Sequence, residues 1–277
     1  MSATIVRLFP SPAQEQALKG TYLSHNLREF RGRDEPFIYS DFVVSLDGRI
    51  AVPSPERGEL DVPTQISNDH DWRLFQELAI QADIILVAGT YMSNLSKGKS
   101  HDIITVYEDD NHADLASWRH EQGENRYPDY AVISNKLNFE ITPQMKKDGR
   151  RVIVITGSRS APADRERLEA QGAEIVDTGE ARVSGSEMQQ ALAQLGYRLI
   201  FSPAGPRVHH MLIASQILDR LYLTQTHRII GGAPYLTLVE GDPLVPPADF
   251  QLSQLYLDPE ALNGAGQHYL VFDRHPP

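Results

Sequence analysis

Short runs of apolar, mostly β-branched residues recur along this chain, separated by segments of helical spacing, and that alternation restricts the fold more than any other feature. The clearest runs are ADIILVA at 82–88, RVIVIT at 151–156 and LIF at 199–201. Each suits a strand buried on both faces and is far too short to cross a bilayer. Helical spacing fills the gaps at 69–81, 163–171, 186–195 and 208–213. Such alternation implies a mostly parallel sheet covered by helices on both faces. Towards the end the pattern changes. Residues 218–226 alternate as a long strand, Gly231 and Gly232 make a turn, and 250–257 with 267–272 read as an antiparallel finish. With no internal repeat and no linker, the expectation is one α/β domain with a mixed sheet over 37–277. Residues 1–36, weakly helical at 13–19, read as a surface extension.

Local signals place the remaining elements. FIYSDFVVSL at 37–46 is a strand that ends in a sharp turn at Asp47 and Gly48. A polar, proline-punctuated loop covers 53–64. Ser67 or Asn68 caps the helix at 69–81, whose buried face is expected to carry Trp72, Phe75, Leu78 and Ala79. Strands follow at 130–134 and 173–176, and the acidic stretch 94–126 reads as a loop excursion with a short helix at 114–120.

The turn after LIF carries the first chemical signal. Ser202 to Pro206 cannot continue the strand, Gly205 admits a close ligand, and Pro206 suits a first helical turn. Free N–H groups there favour an anion. Acidic residues outnumber basic ones by 37 to 26, a net charge of −11, which disfavours nucleic acid as a partner. Cysteine is absent, which excludes disulfides, thiolate metal sites and a cysteine nucleophile. No basic leader precedes an apolar run, so the expected location is cytoplasmic, with no membrane partner. His209 and His210 project about 100° apart on a helix and His101, His112 and His120 are scattered, so no metal is expected.

Five stretches in order resemble the pyrimidine reductase family of riboflavin biosynthesis, which has a three-layer, dihydrofolate-reductase-like fold. They are VVSLDGRIA at 43–51, ADIILVAGTYM at 82–92, VIVITGS at 152–158, the AGP turn with its helix, and ILDRLYLTQTHRIIGG at 217–232. The resemblance implies an NADPH-dependent reductase that converts the ring-opened ribosyl carbonyl of an aminouracil phosphate to a ribityl chain. It places Val44, Gly89 and Thr90 along the cofactor cleft. Thr156, Gly157, Ser158 and Arg159 would meet the adenosine 2′-phosphate, and Ala204, Gly205, Pro206, Arg207 and Val208 the pyrophosphate. Asp47 would position substrate or handle a proton, although an aspartate is equally suited to the Asp-Gly turn alone. A homodimer is also implied, through a sheet edge at Leu218, Leu221 and Leu223.

Several family features are missing. Pro203 stands where the family has a substrate-contacting glutamate, Ala79 where it has an arginine, and SNLSKGK at 93–99 replaces its DDP-x-L segment. Lys97, Lys99 and Arg207 offer a different anion clamp. These departures lead to an expectation of slow turnover on the riboflavin precursor, with a diverged phosphorylated pyrimidine as substrate. A non-catalytic nucleotide-binding protein is the alternative.

Overall fold

The computed structural model describes residues 3–54 and 60–275, so residues 55–59 of the proline-punctuated loop lie outside the described residues. In chain order the strands and helices begin with β1 (Thr4–Phe9), β2 (Gln14–Ala17), β3 (Phe37–Val44), β4 (Val52–Pro53), β5 (Leu60–Asp61) and α1 (Asp69–Ala79). They continue with β6 (Ile84–Ala88), α2 (Gly89–Ser96), α3 (Ala113–Glu121), β7 (Asp129–Ile133), α4 (Pro143–Lys147), β8 (Val152–Thr156), α5 (Pro162–Ala170) and β9 (Glu174–Asp177). Last come α6 (Gly185–Gln194), β10 (Leu199–Ser202), α7 (Pro206–Ala214), β11 (Arg220–Thr226), β12 (Phe250–Asp258), the short α8 (Ala261–Gly264) and β13 (Gln267–Arg274). Contacts divide the chain into two compact units, one of residues 27–37 and 78–205, the other of 1–26, 38–77 and 206–277.

The first of these is the parallel unit. Its strands run in the order β10-β6-β7-β8-β9, every neighbouring pair parallel. Ile84, Ile85, Leu86, Ala131, Val132, Ile153, Val154, Ile155, Leu199, Ile200 and Phe201 have no exposed surface, as expected of strands covered on both faces. Asp83 locks the amino ends of β6 and β10 together, its carboxylate accepting from Arg198 N at 2.9 Å and Leu199 N at 2.8 Å while pairing with Arg31. A capping box between Ser184 and Glu187 starts α6. The stretch read as a loop excursion, 94–126, takes in the last residues of α2, and the short helix expected at 114–120 is α3.

The second unit has the order β2-β1-β12-β13-β11-β3, with β3 and β11 parallel and the others antiparallel, which gives the mixed sheet expected. Three expectations need correction here. Residues 14–17 are a strand, not a helix, and β1 pairs with both β2 and β12, so the chain before residue 27 is built into this unit and is no surface extension. Ile5, Leu18 and Tyr22 are buried. Next, β11 lies between β13 and β3, so the sheet edge invoked for a dimer does not exist at Leu218–Leu223. Finally, Trp72 is 38% exposed, and α1 instead buries Arg73, Leu74, Gln76, Glu77, Leu78 and Ala79. The reason is Glu77, whose carboxylate accepts from Gly20 N at 2.6 Å, Tyr22 N at 2.9 Å and Leu23 N at 3.3 Å, and pairs with Arg73 at 2.8 Å. A polar side chain thus anchors the amino-terminal segment on α1. No helix among the described residues is long and apolar enough to cross a membrane.

Candidate active site

In a parallel sheet the ligand end is the carboxyl end, where loops and helix amino termini gather. The parallel unit brings most of the expected cofactor residues to that end. Gly89 follows β6, Thr156 closes β8 ahead of Gly157, Ser158 and Arg159, and Ala204 and Gly205 follow β10. A Cβ on Gly89 would stand 2.5 Å from Ser134 Oγ, and one on Gly157 2.5 Å from the Glu180 carbonyl, so both glycines are required by close packing. Gly205 differs. A Cβ there would touch nothing within 4 Å and its φ lies outside the left-handed region, so neither packing nor backbone strain requires glycine.

Two hydroxyls at the same sheet end fit a bound ligand as well. Thr156 Oγ1 and Ser202 Oγ are buried without a hydrogen-bond partner, at the last residues of β8 and β10. Buried polar groups are rarely left unpaired unless something else completes them. Ser158 and Arg159 are exposed, while Arg165 holds the loop by donating to Gly157 O at 3.0 Å and Ser160 Oγ at 2.6 Å. Thr90 is exposed too. Of the alternative cationic clamp, Lys97 is tied to Ser93 Oγ at 2.8 Å and Arg207 is exposed. Ala79 is wholly buried, and Arg119 binds the carbonyls of Ile80 at 2.6 Å and Ala82 at 2.9 Å just beyond it.

The other unit holds Val44, Asp47, Pro206, Arg207 and Val208. Val44 closes β3 and is 7% exposed. Pro206 opens α7, which lies on the β3 face through His209, stacked on Phe42 at 4.6 Å. Asp47 is the centre of a clamp. Its carboxylate accepts from Ser45 Oγ at 2.5 Å, Arg49 Nη1 at 2.6 Å, Gly231 N at 2.9 Å and Ile230 N at 3.4 Å. The Ser45 hydrogen bond, with the Gly231 and Ile230 amides and the Arg49 charge, holds its pKa down at about 2. A carboxylate so engaged stays ionised at neutral pH and has no proton to donate there. Its work is to join the SLDG loop to the double glycine after β11. Asp219 does the same at the other end of β11, accepting from Ile38 N at 2.8 Å. Those two aspartates explain why the SLDG and LD…GG stretches occur together.

Two further carboxyl groups escaped sequence reasoning. Asp41 in β3 is 8% exposed and its Oδ1 has no partner; Asp71, in the first turn of α1, is hydrogen-bonded to Thr224 of β11. Burial raises both pKa values, Asp71 to about 6 and Asp41 well above the carboxylate range, where the neighbouring Asp71 charge adds to the rise. In the sequence Asp71 is only one of two acids at a helix start.

A mixed α/β chain with this parallel sheet and glycine turn shares its fold with reductases of the pyrimidine reductase type. More narrowly, it belongs to the RibD C-terminal domain family, whose profile matches residues 36–258, and is an oxidoreductase of the pyrimidine reductase type. It is 26% identical over 208 residues to the 2,5-diamino-6-ribosylamino-4(3H)-pyrimidinone 5′-phosphate reductase of Archaeoglobus fulgidus, covering 75% of this chain and 87% of that one. The enzyme of the same name from Methanothermobacter thermautotrophicus is 24% identical over 214 residues, covering 77% and 88%. Among solved structures, a pyrimidine reductase-like protein from Corynebacterium diphtheriae superposes with a TM-score of 0.66 at 18% identity, over 88% of this chain and 94% of that one. The Saccharomyces riboflavin biosynthesis reductase Rib7 superposes with a TM-score of 0.57 at 16% identity, over 92% and 99%.

Proposed function

We propose that this chain reduces a phosphorylated ribosylaminopyrimidine with NADPH. The observation that carries the cofactor is Gly205, a glycine that no protein atom requires, with two buried hydroxyls lacking partners at the same end of the sheet. In this reading the Gly205 backbone faces the pyrophosphate, the first-turn amides of α7 add their partial charge, and Ser158 with Arg159 meets the 2′-phosphate. When bound, the dinucleotide supplies a hydride; the chain's task is to orient it and exclude water.

The substrate class rests on the names of the two archaeal relatives. Pro203, Ala79 and residues 93–99 argue for weaker substrate contacts, so the substrate is tested directly with both the diamino compound and its deaminated form. Fluorescence titration of NADPH, followed by NADPH oxidation with each compound, tests the reading. Gly205→Asp should abolish the titration, because a negative side chain would fill the pyrophosphate position. Normal NADPH binding by that variant would refute the site. Cytoplasmic location and a homodimer complete the proposal. With β11 inside the sheet the dimer rests on the family resemblance alone, and light scattering at micromolar concentration decides it: a mass of 31.0 kDa means a monomer.

A further inference from the structure

The pair Asp41 and Asp71 has no part in the clamp or in the cofactor site, yet it is the most unusual chemistry in its unit. Asp41 lies opposite Tyr222, and Val43 opposite Thr224, in the parallel register of β3 and β11. Asp41, Tyr222 and Thr224 therefore project from one face of the sheet. α1 crosses that face with Asp71 bonded to Thr224, two residues before β11 ends at Thr226. The same ends of β3 and β11 lead into the SLDG loop and the double glycine that Asp47 joins. Asp71 thus stands at the carboxyl end of two parallel strands, half-buried, with Asp41 deeper along the same face.

Every element packed here contributes a group that faces the pair. The amino-terminal segment supplies Tyr22, whose ring centroid lies 4.7 Å from that of Tyr222 and whose phenol feels the Asp41 charge. β13 supplies Tyr269, opposite Thr224, which feels both Asp71 and Asp258 and donates to Asp258 at 3.0 Å. Asp258 of β12 is in turn paired with His70 at 2.7 Å. Further along α1, Arg73 is committed to Glu77, and on β11 Arg220 to Asp273. The cations around the pair are therefore engaged with other carboxylates. Two neighbouring carboxyl groups whose pKa no cation among the described residues lowers cannot both ionise cheaply, and one retains a proton. The orphaned Asp41 Oδ1 agrees, since a buried ionised carboxylate would need more partners than it has.

We propose that Asp71, backed by the proton-holding carboxyl of Asp41, is the acid that protonates the substrate as it is reduced. This rests on the reductase reading above. In a ribosylamine the bond from the anomeric carbon to the ring oxygen breaks, and the oxygen keeps the electron pair and takes the Asp71 proton to become a hydroxyl. The carbon, held as an iminium by the lone pair of its amine, accepts the hydride that the dinucleotide supplies. One proton and one hydride are consumed, and the Asp71 carboxylate regains a proton from solvent. Burial lifts the Asp71 pKa to about 6, so a fraction of it carries a proton near neutral pH, and Asp41, deeper on the same face, is a positioning residue.

Two measurements on the full chain test this. Without cofactor, infrared titration of the carboxyl groups should show one aspartate ionising near pH 6, lost in Asp71→Asn, and a second ionising well above the ordinary carboxylate range, lost in Asp41→Asn. Ionisation of every carboxyl group below pH 5 would overturn the proposal whether or not NADPH binds. In turnover, kcat should fall roughly tenfold per pH unit above pH 6 in the wild type. Asp71→Asn should lose roughly 10²–10⁴-fold in kcat and its pH profile should become flat, with NADPH affinity unchanged by fluorescence. Asp71→Glu should restore part of the rate. Wild-type kcat and an unaltered profile in Asp71→Asn would refute the role, whereas failure of the wild type to bind NADPH would instead refute the cofactor reading and leave the infrared result to decide the pair.

Discussion

Asp47 shows how a motif residue can be legible in place while the partners that define its role are not. From the sequence it is a carboxylate beside the expected pocket; in the structure its oxygens are occupied by Ser45, Arg49, Ile230 and Gly231. Its folded pKa lies below the ordinary value, so its contribution to stability is complete above pH 4 and is lost as pH falls towards 2. Asp47→Ala should speed amide hydrogen exchange at Gly231 by roughly tenfold or more at neutral pH. The difference from wild type should narrow between pH 4 and pH 2, and equal exchange at pH 7 would show that the clamp is idle. The exposed loop position of Arg159 was legible, because an arginine after a glycine turn needs only its neighbours to be placed. Arg159→Ala should weaken NADPH by roughly ten- to a hundredfold and NADH hardly at all, the worth of one charge-assisted pair. Equal losses on the two cofactors would remove the 2′-phosphate from that loop. Asp71 was not legible, since its pKa depends on what β3, β11 and the amino-terminal segment place around it.

Among elements, the parallel strands were plain in the sequence, for a strand covered on both faces has to be a short apolar run. Their close approach was not. β6 and β7 come so near that Gly89 has no room for a Cβ beside Ser134. Gly89→Ala should cost about 1–3 kcal/mol in chemical denaturation. Ser134→Gly in the same chain should recover much of that loss, since it removes the atoms in the way, and additive losses would mean that the strain lies elsewhere. α1 was found with its cap, the side chain of Asn68 accepting from Asp71 N at 3.1 Å, but its orientation was misjudged. Apolar periodicity chose a face with Trp72, whereas the folded helix turns Arg73 and Glu77 inward because Glu77 has three backbone donors to meet.

For the whole molecule, the amino-terminal segment is the largest departure from expectation. It adds β1 and β2 to one sheet and seats His25 between Tyr222 and Tyr256, 3.0 Å from each hydroxyl. Burial lowers the His25 pKa to about 3, while in the unfolded chain it stays near 6.5. The unfolded state therefore takes up the proton first, and stability falls as pH drops from 6.5 towards 3. His25→Gln should flatten that part of the Tm against pH curve; an unchanged slope would assign it to other groups. Removing residues 1–26 should be severe, because Glu77 would stay buried without the three backbone donors of that segment, a loss on the order of 3–5 kcal/mol. Limited proteolysis of the shortened chain should then cleave within α1 and β12, and full resistance would show that the segment is dispensable.

The sequence by itself determined the strand and helix alternation, the parallel sheet, the glycine turn and the family, because these depend on periodicity and on residues close together in the chain. Only the tertiary structure decided that Asp47 clamps the SLDG loop to the double glycine, that β11 is interior, that residues before 27 belong to the fold and that Asp41 and Asp71 share one sheet face. Each of these joins residues far apart in the chain, from about 30 for Asp41 and Asp71 to about 250 for β1 and β12. Local patterns record how a segment buries its own apolar face; they do not record which distant backbone donors or charges a polar side chain will meet.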